Sequence, residues 1–230
     1  MKEKPKISKG DVVHKAAKIV LSGIPWIGGP IAELFNTVIA PPIAKRRDKW
    51  LESIYKGLKM LEEKVKGFSI ESLAENEMFI TTVMHATQVA IRNHQKEKLE
   101  ALRNAILNSA LPNPPEEDLQ LMFLNFVDLF TTWHFRILMF LNKPIAWAEK
   151  HGVRFPHTLK DYLEETLEMA FPELKGKKDF YILIVNDLDI RELISVGGIL
   201  RKPIAKCYLP RSFTTDISKQ FIKFITPPIE

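Results

Sequence analysis

Apolar side chains recur at steps of three and four residues through much of this chain, and that spacing limits the fold more than any other feature. Residues three and four apart lie on one face of an α-helix, so each such series predicts an amphipathic helix. Only 10 glycines occur in 230 residues, which also favours helix. The first series predicts a helix over about 43–66. Its apolar residues are Trp50, Ile54, Leu58, Leu61, Val65 and Phe68.

Further helices follow, with capping residues at several of their starts. Ser72 or Asn76 can cap a helix that runs to about residue 93, and Thr131 or Thr132 can cap one that runs to about residue 142. This second helix is apolar on nearly every side, which predicts a buried central helix. The other predicted helices before the last third of the chain cover about residues 95–110 and 115–130.

The stretch "MFLNFVDLFTTWHFRILMFL" has the aromatic content of a cofactor or lipid pocket. Its apolar residues are nevertheless spaced as in two helices joined at Thr131-Thr132, which predicts core packing. Asp128 and Arg136 are expected to pair across that turn.

The last third of the chain has a different pattern. Helices are predicted over about 158–170 and 177–193, followed by two short strands around Gly197-Gly198 and a last helix capped by Thr214. This order is similar to a winged helix. The predicted fold is therefore mainly α, with a basic apolar segment over 1–44, a helical body over 45–150 and a small winged-helix-like α+β part over 151–230.

An apolar run extends from residue 19 to residue 44 with Glu33 as its one formal charge. It is long enough to cross a bilayer at about 1.5 Å per residue, but Pro25, Pro30 and Pro41-Pro42 argue against one straight helix. We expect a short helix to about residue 22, a turn, and a second helix over about 30–40 that the diproline ends. Such a hairpin can pack into a core, lie in a membrane interface or insert on a trigger.

Basic residues surround this apolar run. Residues 1–66 hold 14 Lys or Arg against 7 Asp or Glu, whereas residues 67–230 hold 19 against 21. That asymmetry fits a segment attracted to anionic lipid or nucleic acid, and it also fits a solvated Lys-rich start of a soluble protein. Six lysines precede the run and no convincing cleavage site follows it, so we expect no signal peptide and a cytoplasmic protein.

Motifs for catalysis and metal binding are not found in the sequence. The single cysteine, Cys207, excludes an intramolecular disulfide and a thiolate zinc cage, and the six histidines lack metal-site spacing. There is no Gly-x-Ser-x-Gly elbow, phosphate loop or dinucleotide fingerprint. We therefore expect no enzyme activity, no cofactor and no metal, and we identify no small-molecule substrate.

The candidate residues for nucleic-acid binding are the cations of the predicted hairpin: Lys202, Lys206 and Arg211. Residues 151–230 carry 12 Lys or Arg against 11 Asp or Glu, however, and the helix before the hairpin is acidic. Because neutralisation of phosphates supplies most non-specific affinity, nucleic acid is a weaker expectation than a protein partner or a second copy of the chain.

Four stretches of the chain carry a resemblance to a known group of proteins. They are "GGPIAELFNTVIAPPIAKRRDKWLESI", "LEALRNAILNSAL", "LMFLNFVDLFTTWHFRILMFL" and "TDISKQFIKFI". In this order they resemble the abortive-infection alpha group of small bacterial helical proteins linked to phage defence. The last stretch matches that group's Thr-x-x-Gly-Lys-x-Phe helix at Lys219 and Phe221, with Ser218 at the usual glycine. The resemblance implies a defence role and carries over no catalytic residue.

The sequence thus predicts a non-enzymatic bacterial defence or stress-related protein, cytoplasmic or peripheral at the inner membrane, whose N-terminal segment meets an anionic membrane. The alternative is a soluble protein-interaction or DNA-binding module with residues 19–44 in its core. For the membrane role, the predicted apolar contacts are Ile24, Trp26, Ile27, Leu34 and Phe35, and the predicted headgroup contacts are Lys45, Arg46 and Arg47.

Overall fold

A computed structural model describes residues 33–155, 162–195 and 212–229. Within these ranges the protein is helical and contains no strand, which confirms the mainly α prediction. A π-helical turn, Phe35–Ile39, precedes the first helix, and 3₁₀ turns cover Glu71–Glu75 and Pro172–Leu174. The α-helices are α1 (Ala40–Lys64), α2 (Glu77–Arg92), α3 (Lys96–Ser109), α4 (Glu117–Leu129), α5 (Thr132–Asn142), α6 (Pro144–His151), α7 (Tyr162–Ala170), α8 (Lys178–Ile190) and α9 (Asp216–Ile225).

The diproline begins a helix, so the prediction that it ends one was wrong. Pro41 and Pro42 lie in the first turn of α1, directly after the π-helical turn. Amides of a first helical turn have no partner within the helix, so the missing proline N–H groups cost nothing there. The predicted boundary between residues 44 and 45 lies inside α1, and the turn predicted over 23–30 lies outside the described residues.

Helix α3 lies at the centre of the described fold. It contacts α1, α2, α4, α5 and α9, and most of its circumference is buried. The apolar pattern predicts a buried central position for α5 instead, and α5 is also largely buried. The apolar side chains of α3 that are at most 4% exposed are Ala101, Leu102, Ala105, Ile106 and Leu107.

Polar side chains of α3 bind backbone carbonyls at the ends of its neighbours. Lys98 Nζ donates to the Asp128 carbonyl, 2.7 Å away, in the last turn of α4. Asn104 Nδ2 donates to the Ile225 carbonyl at 3.0 Å, and Asn108 Nδ2 lies 2.9 Å from the Phe224 and Thr226 carbonyls at the end of α9. Carbonyls of a last helical turn have no intrahelical donor, so these side chains satisfy groups that would otherwise be buried unpaired.

Helices α1 and α3 approach closely at Gly57. Arg103 reaches across α1 there and its Nε donates to the Ser53 carbonyl at 3.0 Å. A Cβ atom at position 57 would lie 2.8 Å from both methyl carbons of Leu107 and 2.9 Å from Arg103 Nη2. The absent side chain is therefore what allows this helix crossing.

Helix α9 covers an aromatic part of the core. The Phe221 ring lies 5.3 Å from that of Phe123 and 5.6 Å from that of Phe126, and Phe130 is its third aromatic neighbour. Ser218 of α9 is fully buried.

A winged helix is not supported by the C-terminal part. Its described residues contain one isolated antiparallel bridge, between Ile194 and Thr214, and the rest of the predicted hairpin lies outside the described residues. Thr215, not the predicted Thr214, caps α9 by accepting from the Ser218 N–H at 3.2 Å, because Thr214 is engaged in the bridge. Buried residues of every described α-helix except α6 belong to one hydrophobic cluster.

Two further predictions can be compared with the structure. Asn76 caps α2 as expected, since its Oδ1 accepts from the Phe79 N–H at 2.9 Å. Asp128 and Arg136 do not pair with each other, because different neighbours face them. Asp128 lies 3.0 Å from Arg92 of α2, and Arg136 lies 3.2 Å from Glu173.

Replacement of Gly57 by alanine tests the α1–α3 crossing. Leu107 is fully buried and cannot easily move away from the new Cβ, so Gly57→Ala should destabilise the fold by about 1–3 kcal/mol. This loss should appear even though alanine has the better helix propensity by about 1 kcal/mol. The measurement is urea denaturation followed by circular dichroism. A variant as stable as the parent protein would contradict the close crossing.

Candidate functional site

Apolar side chains are exposed where the chain enters α1. The set extends from the residues before the π-helical turn to the first turn of α1, and its members are 40–58% exposed: Leu34, Val38, Ile39 and Ile43. Exposed apolar side chains that follow one another along a folded chain are candidates for a surface that meets another surface. We call these four residues the entry stripe.

Some of the predicted membrane-binding residues lie at the start of α1, and the others lie outside the described residues. Leu34 is part of the entry stripe, and Phe35 begins the π-helical turn. Lys45 and Arg46 are exposed, whereas Arg47 is less exposed and lies 3.0 Å from the Asp48 carboxylate. The predicted residues that lie outside the described ranges are Ile24, Trp26 and Ile27, together with the hairpin cations Lys202, Lys206 and Arg211.

Consecutive residues of a helix point about 100° apart, so the three predicted cations do not share one face. Arg46 faces a cleft of about 330 Å³ between the first half of α1 and the junction of α2 with α3. Lys45 and Arg47 do not line it. We call this feature the basic cleft, and its lining residues are Arg46, Lys49, Trp50, Ser53, Ala90, Asn93, His94, Lys96, Leu99, Glu100 and Arg103.

Charge in the basic cleft is strongly unbalanced. Four Lys or Arg side chains line it against one carboxylate, that of Glu100. Glu100 lies 3.6 Å from Lys96 across one helical turn, in a pair that is largely exposed to solvent. Because exposed pairs of this kind are weak, an anion that entered the cleft would compete with Glu100 at little cost.

The floor of the basic cleft is apolar and firmly held. Trp50 is 6% exposed and Ala90 2% exposed, and Leu99 is partly buried beside them. The indole Nε1 of Trp50 donates to Thr87 Oγ1 at 3.0 Å, which fixes the ring between α1 and α2. The cleft therefore combines a rigid apolar base with a cationic rim.

Most of these cationic residues were missed by the sequence analysis, although helical spacing groups them. Arg46 and Lys49 are three residues apart on α1, and Lys96 and Arg103 are seven apart on α3. Each pair therefore lies on one face of its helix. The spacing does not predict that these two helix faces meet, because their meeting depends on the crossing of α1 and α3 at Gly57.

A second polar cluster surrounds His134 in α5. His134 Nδ1 accepts the Thr131 backbone N–H at 3.1 Å, which assigns the ring proton to Nε2, 3.3 Å from Asp187 Oδ2. Arg191 Nε lies 3.1 Å from both carboxylate oxygens of Asp187. The imidazole also stacks on Phe130 with ring centroids 4.8 Å apart.

The His134 cluster has the chemistry of a helix cap. Thr131 and His134 form a reciprocal capping box at the start of α5, and Asp187 ties that start to α8. Burial lowers the pKa of the His134 imidazole, although the neighbouring Asp187 carboxylate acts in the opposite direction. The ring therefore has a structural position, and its burial favours the neutral form.

The described part of the chain holds no group of three or more His, Cys, Asp or Glu side chains arranged to ligate a metal ion. None of the helices within residues 33–155, 162–195 and 212–229 combines the length and apolarity needed to cross a membrane.

Comparison with known proteins gives no relative for this chain. None of the protein families, curated proteins or solved structures compared with it matches. The resemblance to the abortive-infection alpha group therefore stays a prediction from the four stretches.

The lowered pKa of His134 predicts a pH dependence of stability. Well above pH 6.5, which is about the pKa of an unperturbed histidine, the imidazole is mostly neutral in both the folded and the unfolded chain. As the pH falls from there through the lower pKa of the folded state, the unfolded chain takes up the proton first, so stability is lost. The measurement is the free energy of unfolding between pH 7.5 and pH 5, for the parent protein and for His134→Gln.

The glutamine variant should lose less stability over this range, because the other titrating groups are common to both proteins. Parallel pH profiles for the two proteins would show that His134 does not contribute.

Proposed function

We propose that this chain is a non-enzymatic protein that binds an anionic membrane surface through the start of α1. The single observation that carries the proposal is the exposed entry stripe directly before the cations of α1. Complete burial of an exposed apolar side chain of this size contributes roughly 1.5–3 kcal/mol, and these side chains, which are about half exposed, can gain about half of that. Cations beside them attract an anionic lipid surface.

The geometry supports an interfacial position more than a spanning one. Val38 precedes Lys45 by seven residues, about two helical turns, and Ile43 precedes Arg46 by three residues, so apolar and cationic groups lie near one another along the start of α1. A helix that lies in the headgroup region needs this combination, with the apolar side below and the basic side chains among the phosphates.

A bacterial defence or stress role is part of the proposal. Its support is the resemblance of the four stretches to the abortive-infection alpha group. In such a role, the membrane contact would be the means by which a non-enzymatic protein acts. No catalytic residue is proposed.

One observation favours a second function. Ile43 lies seven residues before Trp50, on the side of α1 that faces the core further along the helix. The entry stripe therefore continues the buried face of α1, as a surface that packs against other residues would. A protein-interaction module, in which the stripe is covered by other residues of this chain or by a protein partner, is the alternative.

Co-flotation of the full-length protein with vesicles separates the two functions. We expect binding to vesicles that contain phosphatidylglycerol and little binding to pure phosphatidylcholine. Binding should weaken between 20 mM and 150 mM salt, because the Debye length falls to about 8 Å at the higher value.

The charge-reversal variant Lys45→Glu/Arg46→Glu/Arg47→Glu should bind the anionic vesicles at least about tenfold more weakly than the parent protein. A matched control reverses three exposed lysines elsewhere, Lys150→Glu/Lys175→Glu/Lys177→Glu, and should float like the parent protein. Equal flotation of the two triple variants would contradict a specific role for the start of α1. Absence of flotation for the parent protein would favour the interaction module.

A further inference from the structure

The basic cleft has the size and the lining of a small-ligand site. Its volume of about 330 Å³ lies within the range of roughly 300–1,000 Å³ that is usual for ligand pockets. Such pockets typically have apolar walls with a few convergent polar groups. Here the apolar wall is Trp50, Ala90 and Leu99, and the polar groups are mostly cations.

The cations favour a phosphate group as the charged part of an occupant. Arg46 and Lys49 approach from α1, and Lys96 and Arg103 from α3, so positive charge lies on two sides of the cleft. A phosphate monoester carries between one and two negative charges and several acceptor oxygens, and it can bind cations on both sides at once. A single carboxylate has fewer acceptor oxygens than a phosphate monoester and only about half to two-thirds of its negative charge.

The floor favours an occupant that also has an apolar part. A free phosphate ester would neutralise the rim and leave the apolar groups that line the cleft against water. The first carbons of an acyl chain would cover them instead. Arg46 also lies three residues after Ile43 of the entry stripe, so the cleft is near the surface that meets the membrane under the proposed function.

We infer that the basic cleft binds the phosphate group of an anionic phospholipid, with the start of an acyl chain against Trp50 and Leu99. This inference rests on the proposed membrane function and adds to it a selectivity for a lipid with an exposed phosphate monoester. Arg103 holds the cleft together through the Ser53 carbonyl, and Lys49 and Lys96 are the exposed groups that contact the phosphate.

Isothermal titration of the full-length protein with three soluble probes tests the chemistry of the occupant. The probes are inorganic phosphate, glycerol 3-phosphate and dihexanoyl phosphatidic acid below its critical micelle concentration. Because each buried methylene contributes about 0.8 kcal/mol, the short-chain lipid should bind about tenfold more tightly than glycerol 3-phosphate, or more. Equal affinity for these two probes would overturn the lipid assignment in favour of a free phosphate ester. No binding of any probe would overturn the site.

Paired variants locate the binding. Lys49→Ala/Lys96→Ala should weaken the binding of the short-chain lipid about tenfold or more, since hydrogen bonds to charged groups are lost. Lys56→Ala/Lys64→Ala removes the same charge from exposed positions of α1 outside the cleft and should leave the affinity unchanged. The same loss in both variants would show that net charge, not the cleft, binds the lipid.

Failure of this inference can be told apart from failure of the proposed function. The short-chain lipid is monomeric, so its binding requires the cleft and no membrane surface. Flotation of the parent protein without short-chain lipid binding would leave the membrane role and overturn the cleft. Short-chain lipid binding without flotation would support the cleft and overturn the membrane role.

Discussion

The described fold depends on one central helix that supplies both apolar contacts and hydrogen-bond donors to its neighbours. Leu102 and Ile106 of α3 are fully buried, which makes α3 the common packing partner of α1, α2, α4, α5 and α9. Buried helix ends leave carbonyls without donors, and each such group costs free energy unless a partner reaches it. Lys98 reaches the end of α4, and Asn104 and Asn108 reach the end of α9.

The same arrangement creates the basic cleft. Gly57 lets α3 come close enough to α1 for Arg103 to bind the Ser53 carbonyl, and this crossing sets the cationic face of α3 opposite that of α1. The lysines of this region have two different roles. Lys98 is buried, which lowers its pKa, and its ammonium group donates to the Asp128 carbonyl. Lys49 and Lys96 stay exposed around the apolar floor of the cleft. A structural constraint at the centre therefore sets the geometry of the candidate site.

Local features were predictable from the sequence where local physics decides them. Asn76 was identified as a cap because its side chain serves the next turn, and α3 was predicted within a residue of each end. Pro41-Pro42 was misjudged because a proline that ends one helix and a proline that begins another have the same local signature. Helix α6 was missed although Pro144 at its start and Gly152, with φ of 67° after its end, are ordinary signals. The basic cleft was not predictable, since Arg46 and Arg103 come together only through the crossing.

The most direct test of the membrane account is the environment of Ile43 when vesicles are added. An NBD fluorophore on Ile43→Cys, in a Cys207→Ser background, reports entry into an apolar phase, and the same label on Leu183→Cys of α8 is the control because Leu183 is 68% exposed. The account predicts a blue-shifted, brighter signal at position 43 with anionic vesicles and no change at position 183. An unchanged signal at position 43, or the same shift at both positions, would contradict it.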